Sequence, residues 1–240
     1  MANTPIPVAN PPQTSCHVAV IGAGTAGLVA ARELMKEGHR VIVFERNGEI
    51  GGTWAYQDDT ESDPLGRDPS RTVVHTSLYK SLRTNNPREI MGFRDFPFVP
   101  TIQSSDSRRF PNHQEVFLYL KEFARSFPLE EALRLHTEVD ELYDAVVVCN
   151  GHFAEPRLAQ VPGIESWPGK EMHSHNYRAP EPFKDQVVVL IGFSYSGLDI
   201  SRELAGFARE VHVASRGFPD EKFQLQSGYD NREVPQWGNC

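Results

Sequence analysis

The sequence predicts an α/β protein holding two copies of a Rossmann-like strand-helix-strand unit, and three observations carry that prediction. A β-branched run at 16–21 ends in a glycine-rich turn, a helical pattern follows, and a second apolar run stands at 40–44. The same order returns 170 residues later: Ile21-Gly22 recurs as Ile191-Gly192, Gly27-Leu28 as Gly197-Leu198, Arg32-Glu33-Leu34 as Arg202-Glu203-Leu204, and Val41 and Val43 as Val211 and Val213. That period is far too long for a solenoid, so one unit occurs twice in one chain. Two further runs, AVVVC at 145–149 and VVVLI at 187–191, are apolar throughout, as in parallel strands covered on both faces.

The elements follow in order. Residues 1–15 carry Pro5, Pro7, Pro11 and Pro12 without the basic and apolar stretches of a signal peptide, and read as a flexible tail. The first helix spans 25–36, with Leu28, Ala31, Leu34 and Met35 at helical spacing and Gly38 closing it. From 47 to 111, polar and Pro/Gly punctuation predicts long loops, interrupted by the aromatic block MGFRDFPFVP, whose Phe93, Phe96 and Phe98 are expected in core packing. Asn112 with Glu115 has the form of a capping box, and the helix behind it places Phe117, Leu120, Ala124 and Phe127 on one face before stopping at Pro128. A strand is predicted at 133–139. Only 140–143 separate it from the run beginning Asp144-Ala145, and parallel neighbours need a crossover of about a dozen residues, so a hairpin or a strained connection is expected. Past the second unit the chain reads EKFQLQSGYDNREVPQWGNC, with no further apolar strand, so both sheets are expected to be C-terminally incomplete. The predicted division is 1–15 tail, 16–160 first nucleotide domain, 161–216 a partial second, and 217–240 an atypical tail.

Composition removes several classes. Lys and Arg number 24 against 32 Asp and Glu, a net charge of -8 with no basic block, so nucleic acid is not the expected partner. No apolar run approaches the ~20 residues of a membrane-spanning helix. Cys16, Cys149 and Cys240 form no CxxC and no paired framework, which fits a reducing, cytoplasmic setting. His173 and His175 lack further ligands at metal spacing, so no metal is expected.

The first copy carries Gly22-Ala23-Gly24-Thr25-Ala26-Gly27, a complete GxGxxG between strand and helix. In such a turn Gly22 allows the sharp bend, Gly24 lets backbone N–H groups approach a pyrophosphate, and Gly27 lets the helix close on the strand. Glu45 stands 23 residues after Gly22, where a carboxylate accepts the two hydroxyl protons of a ribose. The second copy keeps Gly192 and Gly197 but has Ser194 in the middle, and the position equivalent to Glu45 is Ser215, followed by Arg216. A hydroxyl beside a guanidinium suits a 2′-phosphate that a carboxylate would repel. The pair therefore reads as FAD first and NADPH second. Gly51-Gly52-Thr53-Trp54 follows Glu45 closely; Gly52 and Thr53 are candidates to lie along flavin phosphates, with Trp54 near the ring, although two glycines also make an ordinary turn.

The run Trp167-Pro168-Gly169-Lys170-Glu171-Met172-His173-Ser174-His175-Asn176-Tyr177 resembles the FxGxxxHxxx(Y/F) motif of flavin-containing monooxygenases, with Trp in the leading position and lying between the two nucleotide motifs. The stretch LRTNNPRE at 82–89, followed by MGFRDFPF, is similar to the plant branch, in particular its glucosinolate S-oxygenase-like members. What the resemblance implies is FAD reduced by NADPH, reaction with O₂ to a flavin C4a-hydroperoxide, and oxygen transfer to a thioether sulfur or amine nitrogen of a small molecule. The cofactor carries that chemistry. Asn85 matches the family's asparagine beside the flavin and is the candidate catalytic residue. Similar proteins are about twice as long and insert a three-stranded meander where only 140–143 stand here. The rival reading is a catalytically incompetent nucleotide-binding fragment; Baeyer–Villiger monooxygenases come behind, and a disulfide reductase is disfavoured by the missing CxxC. Open sheet edges also suggest self-association.

Overall fold

β1 (His17–Ile21), α1 (Thr25–Lys36) and β2 (Arg40–Glu45) form the first unit's opening, followed by the single turn α2 (Arg88–Met91), α3 (His113–Ser126), β3 (Leu133–Leu135) and β4 (Ala145–Val148). β5 (Val187–Ile191), α4 (Tyr195–Leu204) and β6 (Glu210–Ala214) make the second copy. This computed structural model describes residues 14–215 apart from 138, 140 and 141, so Arg216, 217–240 and nearly all of the N-terminal tail lie outside the described residues. The chain divides into two compact units, Met1–Tyr56 with Leu82–Phe153, and Gln57–Ser81 with Ala154–Cys240. The grouping is not linear: 57–81, which the sequence reading assigns to the first domain, packs with the later half.

In the first unit four parallel strands lie in the order β3-β2-β1-β4. Val20 and Val43 pair in register and point to one face, where Leu28 and Ala31 of α1 and Leu120, Phe123 and Ala124 of α3 close a fully buried core. Each large aliphatic or aromatic side chain there contributes roughly 1.5–3 kcal/mol of burial. The α3 face differs from expectation. Val116, Tyr119, Leu120, Phe123 and Ala124 are buried, while Phe117 and Phe127 are only partly covered. The aromatic block explains the shift, because Phe93, Phe96 and Phe98 stack on Tyr119 and Phe93 and Phe96 also pack on Phe123, so they select that face. Half of the predicted capping box forms: Asn112 Oδ1 accepts the Glu115 N–H at 3.1 Å, whereas the Asn112 N–H donates to Asp106 Oδ2 at 3.1 Å and the Glu115 carboxylate is taken up by Arg88 and the N–H groups of Ser105 and Asp106.

The expected link between the strand at 133–139 and β4 is corrected on two points. β3 ends at Leu135, and β3 and β4 lie at opposite edges of the sheet, parallel to their neighbours. Thr137 N–H still donates to Glu45 O beside β2, whereas Asp144 N–H donates to His17 O beside β1. Tyr143 packs its ring on His17 and Phe44, which alternate onto the face opposite the helices. The described end of the link thus lies on that face, and β3 and β4 form no hairpin. Three strand spacings are only about 14 Å, within reach of a short extended segment. One consequence is that Val146 and Val148, on the same face, are 55% and 68% exposed.

In the second unit β5 and β6 pair in parallel, and α4 buries Ile200 and Leu204. The run containing His175 holds the 57–81 segment. His175 Nδ1 lies 2.6 Å from Ser77 Oγ and its Nε2 2.8 Å from Val74 O. Asn176 Oδ1 accepts the Glu61 N–H at 2.8 Å, and the Arg178 guanidinium donates to the carbonyls of Gln57, Asp59 and Thr76.

Candidate functional site

α1 begins where β1 ends because Gly22 turns the chain: its N–H donates to Phe44 O at 2.7 Å on the neighbouring strand. Gly27 must be glycine, since a Cβ there would lie 1.8 Å from Gly22 O. The second required approach joins the two glycine motifs. Gly51 N–H donates to Ala23 O at 2.9 Å, and a Cβ on Gly52, itself at φ 56°, would stand 2.9 Å from the Gly24 Cα. The two backbones therefore form one cradle without side chains between them.

The helix start in this cradle lacks its own anion. No side chain caps Gly24, and the first turn of α1 contains no acidic residue, so its N–H groups and the positive end of the helix dipole remain for a ligand. By contrast α3 has both Asn112 and Glu115 at its start. A phosphate-binding role belongs to the first kind of terminus.

Glu45 closes the cradle's far side. It is buried; Oε2 accepts the Ala23 N–H at 2.8 Å and Oε1 accepts the Asn47 N–H at 2.9 Å. Each carboxylate oxygen keeps lone-pair capacity beyond the backbone donor that orients it. Thr53 is exposed at the adjacent 3₁₀ turn (Gly52–Trp54), while Trp54 packs partly against the first unit's core. Cys149, beneath the turn, has its thiol pushed up by burial. These residues fit a bound dinucleotide: uncapped helix, bare glycine backbone and an oriented carboxylate.

Asn85 sits in the same unit on an exposed turn, Asn85-Asn86-Pro87. Both flanks of the turn, Thr84 and Arg88, are buried.

The second copy presents a matching start. Gly192 N–H donates to Ala214 O at 2.8 Å, Gly197 would bring a Cβ 2.4 Å from Gly192 O, and Ser194 offers no side-chain cap to α4, whose first turn lacks acidic residues. Ser215 follows β6 at the position Glu45 holds beside β2, half-buried. In this unit Tyr177 Oη donates to Glu203 at 2.7 Å and Tyr79 Oη to Asp199 at 3.1 Å; burial, with the nearby carboxylates, pushes both phenols well up. The motif residue His173 is buried enough, and near enough to His175, that its imidazole is held below the usual range. Among the described residues no group of His, Cys, Asp and Glu has the geometry of a metal site.

The model of the flavin-binding monooxygenase-like family matches residues 15–142 and 135–219. The chain belongs to that family. The two matched stretches meet between β3 and β4. Among curated relatives, flavin-containing monooxygenase FMO GS-OX-like 3 of Arabidopsis thaliana is 58% identical over 248 residues, covering 92% of this chain and 55% of that protein. The chain thus spans about half the length of the curated relatives it matches. Among solved structures, S-allyl-L-cysteine S-oxygenase from Allium sativum is 54% identical with a TM-score of 0.85, covering 91% of this chain and 55% of that one. Tmm from Pelagibacter sp. strain HTCC7211 is 28% identical with a TM-score of 0.71, covering 85% and 52%.

Three sets of contacts escape sequence reasoning in this flavin-binding monooxygenase-like chain. Ala23 serves through its backbone, which no residue type announces. Cys149 supports the glycine turn from 122 positions beyond Gly27, and Arg88 and Glu115 meet across 27 residues. Long-range partners of this kind leave no periodic signal.

Proposed function

We propose that this chain binds FAD in the first unit and NADPH in the second, and that it oxygenates a soft nucleophile, transferring one oxygen atom of O₂ to sulfur or nitrogen while the other leaves as water. One observation carries the reading: the same uncapped, glycine-built helix start occurs twice, with a carboxylate at the ribose position of the first copy and a hydroxyl at that of the second. Flavin, when bound, supplies the redox chemistry, taking a hydride from the reduced nicotinamide and passing electrons to O₂.

The chain's own residues bind and orient. Glu45, held by the N–H groups of Ala23 and Asn47, accepts the ribose hydroxyls. The first turn of α1, with Gly22, Gly24, Gly27 and the Gly52-Thr53 backbone, takes the pyrophosphate. Asn85 is the residue that holds cofactor and oxygen from the exposed turn. Gly192, Ser194 and Gly197 cradle the second pyrophosphate, and Ser215 with Arg216 receives the 2′-phosphate. A thioether is the favoured substrate, because the 54%-identical Allium protein is named for S-oxygenation of S-allyl-L-cysteine.

A second reading is nucleotide binding with NADPH spent mainly on hydrogen peroxide. It is favoured by the bare sheet face at Val146 and Val148, since oxygen transfer from flavin requires water to be excluded. One experiment separates the two. The purified protein is expected to be yellow and to oxidise NADPH in air, and a methylthioalkyl probe is expected to yield sulfoxide. Sulfoxide matching the NADPH consumed supports the oxygenase; peroxide matching it supports the second reading; protein that takes up no FAD overturns both.

A further inference from the structure

Asn85 and Asn86 are exposed, yet the residues on either side of their turn are among the most enclosed polar groups of the first unit. Arg88 is 4% exposed and Glu115 is 2% exposed. The Arg88 guanidinium donates from Nε to Arg108 O at 3.0 Å, and from Nη2 to Asp106 O at 2.6 Å and Glu115 Oε2 at 3.0 Å, while its Cζ lies 4.3 Å from the Phe98 ring centroid. Its backbone N–H donates to Arg109 O at 3.0 Å. Glu115 in turn accepts from the N–H groups of Ser105 and Asp106 at 2.8 and 3.1 Å. On the other flank Thr84 N–H donates to Pro111 O at 2.9 Å, and Thr84 Oγ1 reaches across the turn to Asn86 O at 2.8 Å.

A buried arginine–glutamate pair is weak evidence for stability, because desolvation offsets its attraction; apolar residues of similar volume often do as well. What such a pair does supply is direction. The guanidinium fork fixes geometry in a way a point charge cannot. Here the fork is three residues from Asn85 and joins its turn to α3 and to the 105–109 loop. No other residue among those described bonds the Asn85 amide, so the side chain is held only through its backbone. We infer that Arg88, oriented by Glu115, is a positioning residue that sets Asn85 toward the flavin, with Thr84 bracing the turn from the opposite side. This rests on the reading of Asn85 given under the proposed function.

The test is a double-mutant cycle on the full chain, read by FAD affinity from flavin fluorescence and by the fine structure of the bound flavin's visible band. Asn85→Ala is expected to weaken FAD about tenfold and to smooth the band. Arg88→Lys keeps the charge and removes the fork; it is expected to weaken FAD about tenfold with Asn85 present and less than twofold when Asn85 is already alanine. Thr84→Val, which disturbs no charge, is expected to show the same pattern with a smaller first effect, and it carries the test if Arg88→Lys does not fold by circular dichroism. Equal losses with and without Asn85 would mean a general structural role and overturn the positioning inference. So would a response to Asn85→Ala with none to Arg88→Lys or Thr84→Val, which leaves Asn85's own role intact. No response to Asn85→Ala overturns both the placement of Asn85 and the inference built on it, but not the role of Glu45.

Discussion

The two copies of the strand-helix-strand unit share strand register and glycine-turn bonds at an offset of 170 residues, yet they sit in different surroundings. β1 and β2 pair His17 with Arg40 and Ile21 with Phe44; β5 and β6 pair Val187 with Glu210 and Ile191 with Ala214. The bond from Arg40 N–H to Cys16 O recurs from Glu210 N–H to Gln186 O, and that from Leu28 N–H to Gly24 O recurs from Leu198 N–H to Ser194 O. Outside this frame the copies part. A Cβ on Gly22 would strike Cys149 O at 2.5 Å, because β4 flanks β1, whereas one on Gly192 would meet nothing within 4 Å. β1 is buried along its middle, while β5 alternates exposed and half-buried residues. The backbone frame follows from a short local signature, and burial follows from which strands arrive beside it.

That contrast predicts unequal responses to the same change. Gly27→Ala forces backbone apart inside a filled core and is expected to destabilise the first unit by about 3 kcal/mol, seen as a lower urea midpoint. Gly197→Ala, with a looser approach and less packing around it, should cost less than half as much. Equal losses would show that the turn alone, without its neighbours, sets the penalty.

The ribose position gives the next largest effect. Glu45→Arg removes the acceptor for the ribose and for Ala23 N–H, and each such charge-assisted bond is worth about 1.5–3 kcal/mol. FAD affinity should fall roughly a hundredfold or more, leaving the protein colourless. A variant that purifies as yellow as the parent would remove Glu45 from the site.

In the second copy, Arg216→Ala is expected to weaken NADPH about tenfold or somewhat more while barely changing NADH, by loss of one charge-assisted contact. Coenzyme titration measures the two affinities. A matched decline for both coenzymes would show that residues 215 and 216 do not read the 2′-phosphate.

The smallest expected effect is on pH stability, and it runs in opposite directions for two buried pairs, Asp106 with Glu115 in the first unit and Tyr79 with Tyr177 in the second. In the first, bonds from Arg108, Arg83 and backbone donors hold Asp106 well below its ordinary value; burial pushes Glu115 up, but its bonds from Ser104, Arg88 and the backbone outweigh this and lower it. A folded value below the unfolded one stabilises above about pH 4, and the contribution is lost as pH falls. In the second unit Tyr79 and Tyr177 are raised, so their contribution is present below about pH 10 and lost as pH climbs beyond it. Hydrogen exchange resolved by unit should show 82–153 loosening first in acid and 154–215 first in alkali. The reverse order would contradict the assignment of these groups.

Much of the molecule is legible in the amino-acid sequence. The glycine turns, the helices they open and the Asn112 cap depend on residues within a few turns of one another, so spacing and residue type determine them. That locality is why the 170-residue repeat and Glu45's place beside the first turn could be read directly, and why the family resemblance stood on three ordered motifs. Tertiary structure alone decided the rest. Residues 133–139 read as a strand with β4 as its neighbour, but the sheet pairs β3 with β2, and Tyr143 packs on the far face. Which side of α3 is buried depended on where Phe93, Phe96 and Phe98 came to rest. The joining of 57–81 to the later half depended on Glu61, Ser77 and Val74 meeting His175 and Asn176 about a hundred residues away. The bracing of Asn85 by Arg88 and Glu115 belongs to the same class. A sequence records which groups can bond locally, whereas partners brought together by packing are chosen by the whole fold's competition for buried space.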